Sequence, residues 1–276
     1  MADQAEMKAA IQSVIKAMMD TVMDNVLRKD PFIKENHRAN KPLYAALVPD
    51  EIFKGSHFER RFVTPFGKAW ENLAVVAANQ GLGRALTGHS VQGSVKQERL
   101  RRISEILNGL EHAERGEKRT PAWQTELDYV LAGGGPPIPV TVICDLYVVD
   151  SCHGKRLSFE LKAPLPNSDQ TKVSKEKILK LYSMEPQQVD EAYYALPYNP
   201  YGRRSQYRWT FPARWFDMQN DPVVLIGEEF WEKIGGMGTY EAFITAVNEI
   251  GPAYKDRIYR DFLGIEPPAD APELKL

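Results

Sequence analysis

Two carboxylates and one amine stand out in the middle of the chain because each interrupts a run of apolar residues. Asp145 lies within TVICDLYVV, and Glu160 and Lys162 lie within LSFELKAP. Charges at such positions need a partner or a function, since burying an unpaired charge is costly. One or two carboxylates, completed by waters or phosphate oxygens, are the usual ligands of Mg²⁺. A neighbouring amine could orient a water or stabilise developing negative charge, which is the outline of a hydrolytic phosphodiester site.

A β-hairpin with a short loop would bring these residues together. Residues 151–154 can form the loop, because Gly154 tolerates the positive φ that tight loops need. If the residues that flank this loop pair with each other, counting outwards places Asp145 opposite Glu160, with Cβ atoms about 4.5–5.5 Å apart. Lys162 then shares the face of Glu160, since side chains alternate along a strand. The other face carries apolar residues, namely Leu146, Val148, Leu157, Phe159 and Leu161.

The same residues have a second interpretation, in which Lys162 only neutralises Glu160 and Asp145 lies at a loop end. Residues 273–275 repeat the Glu-Leu-Lys tripeptide in a polar tail that follows no predicted hairpin. The tripeptide alone therefore carries little information. The opposed Asp145 and the strand context favour a metal site.

Composition bounds the class of protein. The chain has 276 residues, of which 43% are hydrophobic and 26% charged, as in ordinary globular proteins. Two cysteines, Cys144 and Cys152, do not make a disulfide framework, and ligand spacings typical of zinc sites are lacking. The chain shows neither a transmembrane stretch nor the pattern of a signal peptide, so we expect a cytoplasmic protein.

The net charge of −2 hides an uneven distribution. Residues 155–180 contain seven basic and three acidic side chains, and residues 195–216 contain four arginines and no acid. Residues 217–276 contain twelve acids and five bases. Positive charge therefore lies in the segments around the candidate site, which supports binding of nucleic acid, and an ordinary solvated face is the alternative.

Two basic segments are candidates for DNA contact. The first is a helix that Ser168 or Asp169 can cap, whose N-terminus and lysines could receive a phosphate. The second is residues 198–209, which interleave aromatic residues with Arg, Asn and Gln, the types that contact phosphates and base edges. An ordinary surface helix and a surface loop are the alternatives. The candidate DNA contacts are Lys172, Lys175, Lys177, Asn199, Arg203, Arg204, Gln206 and Arg208.

Apolar periodicity and breakers predict the elements that hold these residues. Helices are predicted over 4–29, 66–79, 95–110, 122–131 and 185–195, a strand over 221–227 and further helices over 228–263. Thr64-Pro65 is taken as the start of the second helix. Residues 132–137, AGGGPP, separate a helical N-terminal part from a strand-rich part.

Asp145, Glu160 and Lys162 resemble the Asp…Glu-x-Lys signature of the restriction-endonuclease-like nuclease superfamily. Cys144 stands where that signature often has proline. The segments FELKAPLPNSDQTKVSKEKIL, NPYG and VLIGEEFWEKIGGMGTYE are similar to a family of type II restriction endonucleases, over roughly the second half of the chain.

The resemblance implies an α/β (α+β) fold, in which a mixed central sheet is flanked by helices. We expect a single nuclease domain with a mainly helical part at 1–131 for dimerisation or DNA contact, a catalytic core at 138–263 and a flexible tail at 264–276. The resemblance further implies Mg²⁺ dependence, a homodimer that cuts both strands of a palindrome, and a separate cognate DNA methyltransferase. The suspected family cuts short G/C-rich sites of the GGNCC kind.

Roles for individual residues follow from the same resemblance. Asp145, Glu160 and the Leu161 carbonyl correspond to metal ligands, and Lys162 to the base that positions the attacking water. Glu71 matches an acidic residue that relatives carry on the helix before the sheet. A structure-selective or repair nuclease with the same core is a rival interpretation, and a non-catalytic DNA-binding protein is another.

Overall fold

The computed structural model describes residues 4–112, 119–268 and 274. Within these ranges, no helix combines the length and apolar character needed to cross a membrane. The repeated Glu-x-Lys at 273–275 and residues 269–273 of the predicted flexible tail fall outside the described residues, Leu274 excepted. The helices, in chain order, are α1 Gln4–Asp24, α2 Lys34–Asn40, α3 Pro42–Leu47, α4 Asp50–Gly81, α5 Gln97–Glu111, α6 Trp123–Leu131, α7 Ser168–Ser183, α8 Glu228–Gly235 and α9 Thr239–Arg257.

A mixed sheet forms the centre of the part of the chain between Gly83 and Ile226. Its strands are β1 Gly83–Lys96, β2 Pro137–Asp150, β3 Arg156–Leu161, β4 Met184–Glu185, β5 Glu191–Leu196 and β6 Val224–Ile226. In the described part of the chain these six strands lie in the order β4-β1-β2-β3-β5-β6. The pairs β1–β2, β1–β4 and β2–β3 are antiparallel, whereas β3–β5 and β5–β6 are parallel. The predicted mixed sheet with flanking helices is confirmed.

The contacts divide the chain into two compact units, one of Ala74–Tyr240 and one of Asp3–Leu73 with Glu241–Leu276. These limits differ from the boundary at 132–137 that the sequence suggests. In the structure those residues join α6 to β2, and Gly134 N donates to the Glu98 carboxylate at the start of α5. The organisation as a single domain, with parts at 1–131 and 138–263, stays a prediction.

The larger core of the first unit lies between the sheet and helices α5, α6 and α7. Ile106 of α5, Ile178 of α7 and Tyr194 of β5 are fully buried in it. Burying one such side chain contributes about 1.5–3 kcal/mol to folding. On the other face of the sheet, Phe159 packs edge-on against Phe230 of α8, with ring centroids 5.8 Å apart. The central strands are therefore covered on both faces, and the site residues are set in rigid surroundings.

The second unit is helical. Helix α1 buries an apolar stripe that includes Met7, Ile11 and Val22, as its periodicity predicts. Tyr254 of α9 donates a hydrogen bond of 2.8 Å to Asp20 of α1. These contacts join the N-terminal and C-terminal helices, which lie far apart in the sequence.

The start of α4 corrects the predicted helix over 66–79, because α4 begins at Asp50 and contains Pro65 in its interior. An interior proline removes one backbone hydrogen bond and normally breaks a helix. Here an aromatic row spaced by four residues packs along the helix and offsets that loss. The row consists of Phe58, Phe62, Phe66 and Trp70, with neighbouring centroids 5.0–6.1 Å apart.

Two further differences concern the sheet. The predicted helix over 185–195 is wrong, because Glu191–Leu196 form β5, which is paired in parallel with β3 and β6 on its two sides. Burial of Ala192 and Tyr194 between these neighbours outweighs the helical propensity of the segment. Strand β1 was not predicted, since Gly88 and Gly93 weaken its apolar alternation.

Candidate active site

The register of the hairpin places the two carboxylates opposite each other. The pairs of β2 and β3 run from Val149 with Arg156 to Leu146 with Phe159, and this register, extended by one residue, brings Asp145 opposite Glu160. At the loop, Gly154 has a φ of 67°, as predicted. The predicted hairpin is confirmed, and its register is confirmed for the pairs from Val149 with Arg156 to Leu146 with Phe159.

Strand β2 is distorted at Asp145. Thr87 pairs with Leu146 and His89 with Cys144, and among the described pairs the ladder skips Gly88 and Asp145. Gly88 has a φ of 62°, a conformation that side-chain-bearing residues rarely adopt. The alternation of buried residues also shifts here, because Cys144 and Tyr147, three residues apart, belong to the same core cluster. Asp145 is therefore released from the β1 ladder next to Glu160.

Lys162 joins the two carboxylates. Its Nζ lies 2.8 Å from Asp145 Oδ2, 3.5 Å from Glu160 Oε2 and 3.0 Å from the Leu161 carbonyl oxygen. Asp145 Oδ2 also accepts a 2.9 Å hydrogen bond from Leu161 N, which fixes this carboxylate against β3. Glu160 is 1% exposed, whereas the Asp145 side chain is 26% exposed. The cluster thus has a buried and a solvent-facing carboxylate.

A second lysine, from α7, completes the cluster. Lys177 Nζ lies 2.9 and 3.0 Å from the two Glu160 oxygens and 2.8 Å from the Ile143 carbonyl oxygen. Helix α7 is capped by Asn167, whose side chain accepts from Gln170 N at 2.8 Å, so the predicted caps, Ser168 or Asp169, are wrong. The sequence predicts Lys177 as a DNA contact but does not predict its place beside Glu160. The place of Lys177 could have been predicted only if residues 191–196 had been recognised as a strand parallel to β3, because the connection between parallel strands crosses a face of the sheet.

Glu160 has an altered protonation equilibrium. Burial raises the pKa of its carboxyl to about 6, and the charge of Asp145 acts in the same direction, while Lys162 and Lys177 oppose the shift. A cation that binds this carboxylate would compete with the proton near pH 6. Next to it, Cys144 is fully buried in the core cluster, and this burial raises the pKa of its thiol to about 11, which disfavours the reactive thiolate.

The donor atoms of the cluster fit Mg²⁺. Among the described residues, no group of three or more His, Cys, Asp and Glu side chains is arranged to hold a metal ion. Mg²⁺ needs fewer, because it keeps several waters and takes one or two carboxylates. Asp145, Glu160 and the Leu161 carbonyl oxygen meet that requirement. The ammonium groups of Lys162 and Lys177 lie among these same oxygens, which shows that this group of oxygens accepts positive charge.

Comparison with known proteins identifies the family. The family model for "Type II restriction endonuclease, HinfI" matches residues 7–251 of this chain. The chain belongs to the HinfI family of type II restriction endonucleases. The resemblance seen in the sequence is confirmed, and the match extends it through the N-terminal helices.

Curated relatives of this HinfI-family chain carry the same kind of name. The type II restriction enzymes HgiEI and HgiBI of Herpetosiphon aurantiacus are each 29% identical to it, over 236 and 233 residues, and each alignment covers 81% of both chains. The type II restriction enzyme HgiCII of the same organism is 28% identical over 228 residues, which cover 81% of this chain and 82% of HgiCII.

Glu71 of this HinfI-family protein lies on α4, in the unit formed by Asp3–Leu73 and Glu241–Leu276, whereas Asp145 and Glu160 belong to the other unit. Its carboxylate forms an ion pair with Lys68 on the same helix. A catalytic role for Glu71 stays a prediction.

The lysines of α7 occupy different surroundings. Lys172 pairs with Glu111. Lys175 is 0% exposed, with its Nζ 2.6 Å from Glu126 and also bonded to the Trp215 carbonyl oxygen. Burial lowers the pKa of Lys175, and the Glu126 charge opposes the shift. A side chain without accessible surface cannot contact DNA in this conformation. We therefore propose no DNA contact for Lys175.

The residues of the 198–209 segment also separate into internal and exposed members. Arg204 binds the carbonyl oxygens of Met218 and Asp221 at 2.9 and 2.6 Å, which gives it a structural role. Asn199 is 4% exposed and accepts a hydrogen bond from Tyr201 N. Among the candidate DNA contacts of this segment, Arg203, Gln206 and Arg208 are exposed.

Two hydrogen bonds attach this segment to the turn that follows Lys162. Tyr207 Oη donates to the Pro164 carbonyl oxygen at 2.9 Å, and Trp209 Nε1 donates to the Pro166 carbonyl oxygen at 2.7 Å. Arg208 lies between these two anchors and is exposed. The exposed arginine is therefore held beside the turn that leads away from the cluster.

Proposed function

We propose that this protein is a Mg²⁺-dependent, site-specific double-strand DNA endonuclease that acts as a homodimer. The observation that carries the proposal is the cluster of Asp145 and Glu160 around the Lys162 amine, which lies 2.8 Å from Asp145 and 3.5 Å from Glu160. Membership of a family of type II restriction endonucleases supports DNA as the substrate. Two carboxylates and an amine on the edge of a buried hairpin suit hydrolysis of a phosphodiester.

Each residue of the cluster has a distinct task in this proposal. Asp145, Glu160 and the Leu161 carbonyl would hold Mg²⁺, which when bound neutralises the charge that develops on the phosphate. Lys162 aligns the water that attacks the phosphorus in line with the leaving oxygen, and its bond to Asp145 keeps the amine in place. Burial of Glu160 fixes its carboxylate and excludes bulk water from that side. Glu71 remains a further candidate for the catalytic group.

Recognition is the second part of the proposal. We place the target among short palindromic G/C-rich sites of the GGNCC kind, on the strength of the family resemblance. A palindrome matches a two-fold symmetric homodimer, in which each subunit cuts one strand. Exposed Arg203, Gln206 and Arg208 are the candidate base and phosphate contacts. A separate DNA methyltransferase would protect the host genome.

Digestion of phage DNA in Mg²⁺, followed by sequencing of the fragment ends, tests the function. A single short palindrome at all ends is expected. Cleavage confined to junctions or flaps would indicate the structure-selective rival, and intact DNA in both Mg²⁺ and Mn²⁺ would leave a non-catalytic DNA-binding protein.

A matched pair of variants tests the assigned site. Glu160→Gln keeps the shape of the side chain but removes the charge that holds the cation, so cleavage should fall by about two orders of magnitude or more. Glu105→Gln changes an exposed glutamate on α5 and should cut as the unaltered protein does. Equal cleavage rates for the two variants would show that Glu160 is not part of the active site.

A further inference from the structure

Lys177 is held by the cluster in the manner of a bound cation. Its Nζ has three oxygen neighbours within 3.0 Å, namely both Glu160 carboxylate oxygens and the Ile143 carbonyl oxygen. A lysine ammonium has three N–H donors, so each donor can meet one of these oxygens. The amine reaches this position from α7, on a different element from the hairpin that carries Glu160.

The charges of the cluster balance without a metal ion. Asp145 and Glu160 contribute two negative charges, and Lys162 and Lys177 contribute two positive charges. Mg²⁺ bound to the same carboxylates would add two positive charges to this neutral group, within a few ångströms of both amines. Like charges so close in a partly buried site repel strongly, and therefore at least one amine must move away.

Of the two amines, Lys177 competes more directly for Glu160. Lys162 Nζ lies 2.8 Å from Asp145 but 3.5 Å from Glu160, whereas Lys177 Nζ binds both Glu160 oxygens at about 3 Å. The Lys177 side chain is 27% exposed and the Lys162 side chain 17%, so Lys177 has the more open way to solvent.

We propose that Lys177 is the resident cation of Glu160, which a divalent metal ion must displace before the site is complete. This inference rests on the proposed function, because it takes Glu160 as a metal ligand. The displaced amine stays close to the site and gains a new partner when a DNA phosphate arrives. Lys177 thereby lowers the affinity of the DNA-free protein for the metal ion and favours metal binding when DNA is present.

Mn²⁺ titration without DNA, read by the electron paramagnetic resonance signal of the free ion, tests this at pH 8. Lys177→Met removes the competing charge and should bind Mn²⁺ on the order of tenfold more tightly than the unaltered protein. Lys177→Arg keeps the charge and should not show that gain. Lys180→Met is the matched control, because Lys180 lies on the same helix but pairs with Glu176 at 2.6 Å, and it should bind as the unaltered protein does.

The outcomes separate the two proposals. If the unaltered protein binds Mn²⁺ and cuts DNA but Lys177→Met binds Mn²⁺ equally or less tightly, Lys177 only supports Glu160 and the inference fails alone. If neither the unaltered protein nor Lys177→Met binds Mn²⁺, both the metal site and the inference fail. Should Lys177→Met fail to fold, a tenfold gain in Lys177→Gln, judged against Lys177→Arg, decides the question in the same way.

Discussion

Lys162 Nζ lies closer to Asp145, on the neighbouring strand, than to Glu160, on its own strand, at 2.8 Å against 3.5 Å. Alternation puts Glu160 and Lys162 on one face, but the cross-strand carboxylate provides the shorter contact. The amine is therefore tied to the solvent-facing side of the cluster, while the buried Glu160 is left to Lys177.

Gly88→Ala should impair cleavage by displacing Asp145. Gly88 has a φ of 62°, and a left-handed conformation costs a residue with a Cβ about 1–2 kcal/mol. The added methyl meets no atom within 4 Å, so the strain is in the backbone and the strand should relax towards regular pairing with Asp145. We expect the cleavage rate to fall by roughly tenfold or more, whereas the free energy of unfolding measured in urea should decrease only modestly.

Gly55→Ala is the control for that variant, since Gly55 is helical and its added methyl also meets nothing within 4 Å. It should be neutral or stabilise by about 0.5–1 kcal/mol. Unchanged cleavage by Gly88→Ala would show that the distortion at Asp145 is not needed for catalysis.

Metal binding should weaken as the pH falls through about 6. Burial raises the pKa of Glu160 to about 6 from its ordinary 4.5, so the carboxyl takes up a proton at a pH where exposed glutamates are still charged. Below that value each pH unit should lower Mn²⁺ affinity about tenfold, because the protonated group does not bind a cation. Titration between pH 5 and pH 8 measures this. A flat profile over the range would contradict the role of Glu160 as a ligand.

The contribution of Glu160 to the free energy of unfolding changes with pH in the direction opposite to that of an ordinary paired carboxylate. Because the pKa of Glu160 is higher in the folded protein than in the unfolded chain, folding takes up a proton between about 4.5 and 6. The contribution of this group to the free energy of unfolding therefore decreases as the pH rises through that window. Glu160→Gln should remove this part of the pH dependence.

Lys175→Met should destabilise the protein by about 3–5 kcal/mol, because it leaves the carboxylate of Glu126 buried without a partner. The double variant Lys175→Met with Glu126→Leu should recover most of that loss. Urea unfolding of the three proteins measures both effects. The double variant should also bind DNA as the unaltered protein does, and a folded double variant with weaker DNA binding would restore Lys175 as a DNA contact.

Arg208→Ala should weaken DNA binding without unfolding the protein. Arg208 is exposed between residues anchored to Pro164 and Pro166, so its loss removes a charge but no internal bond of the segment. If it contacts a phosphate, the slope of log K against log salt should fall by about one. Arg84→Ala is the matched control, since Arg84 is exposed on β1 opposite Val149, at the end of the ladder away from Asp145. Equal losses in both variants would indicate a general effect of charge.

The hairpin register that brings Asp145 towards Glu160 was predictable from residue order alone. A four-residue loop sets the register of a hairpin, and the period of two along a strand then decides which side chains share a face. The signature residues and the segments that carry the family resemblance can likewise be recognised in the sequence without the structure. The distortion at Gly88, by contrast, appears only when β1 is laid beside β2.

The position of Lys177 depended on the tertiary structure. Lys172, Lys175 and Lys177 have similar sequence surroundings, yet one pairs with Glu111, one is buried with Glu126 and one binds Glu160. These outcomes depend on how α7 packs on the sheet between β3 and β5, and β5 itself was predicted as a helix. Burial and pairing by neighbours distant in sequence decide such cases, because the free energy they contribute exceeds the small differences in local propensity.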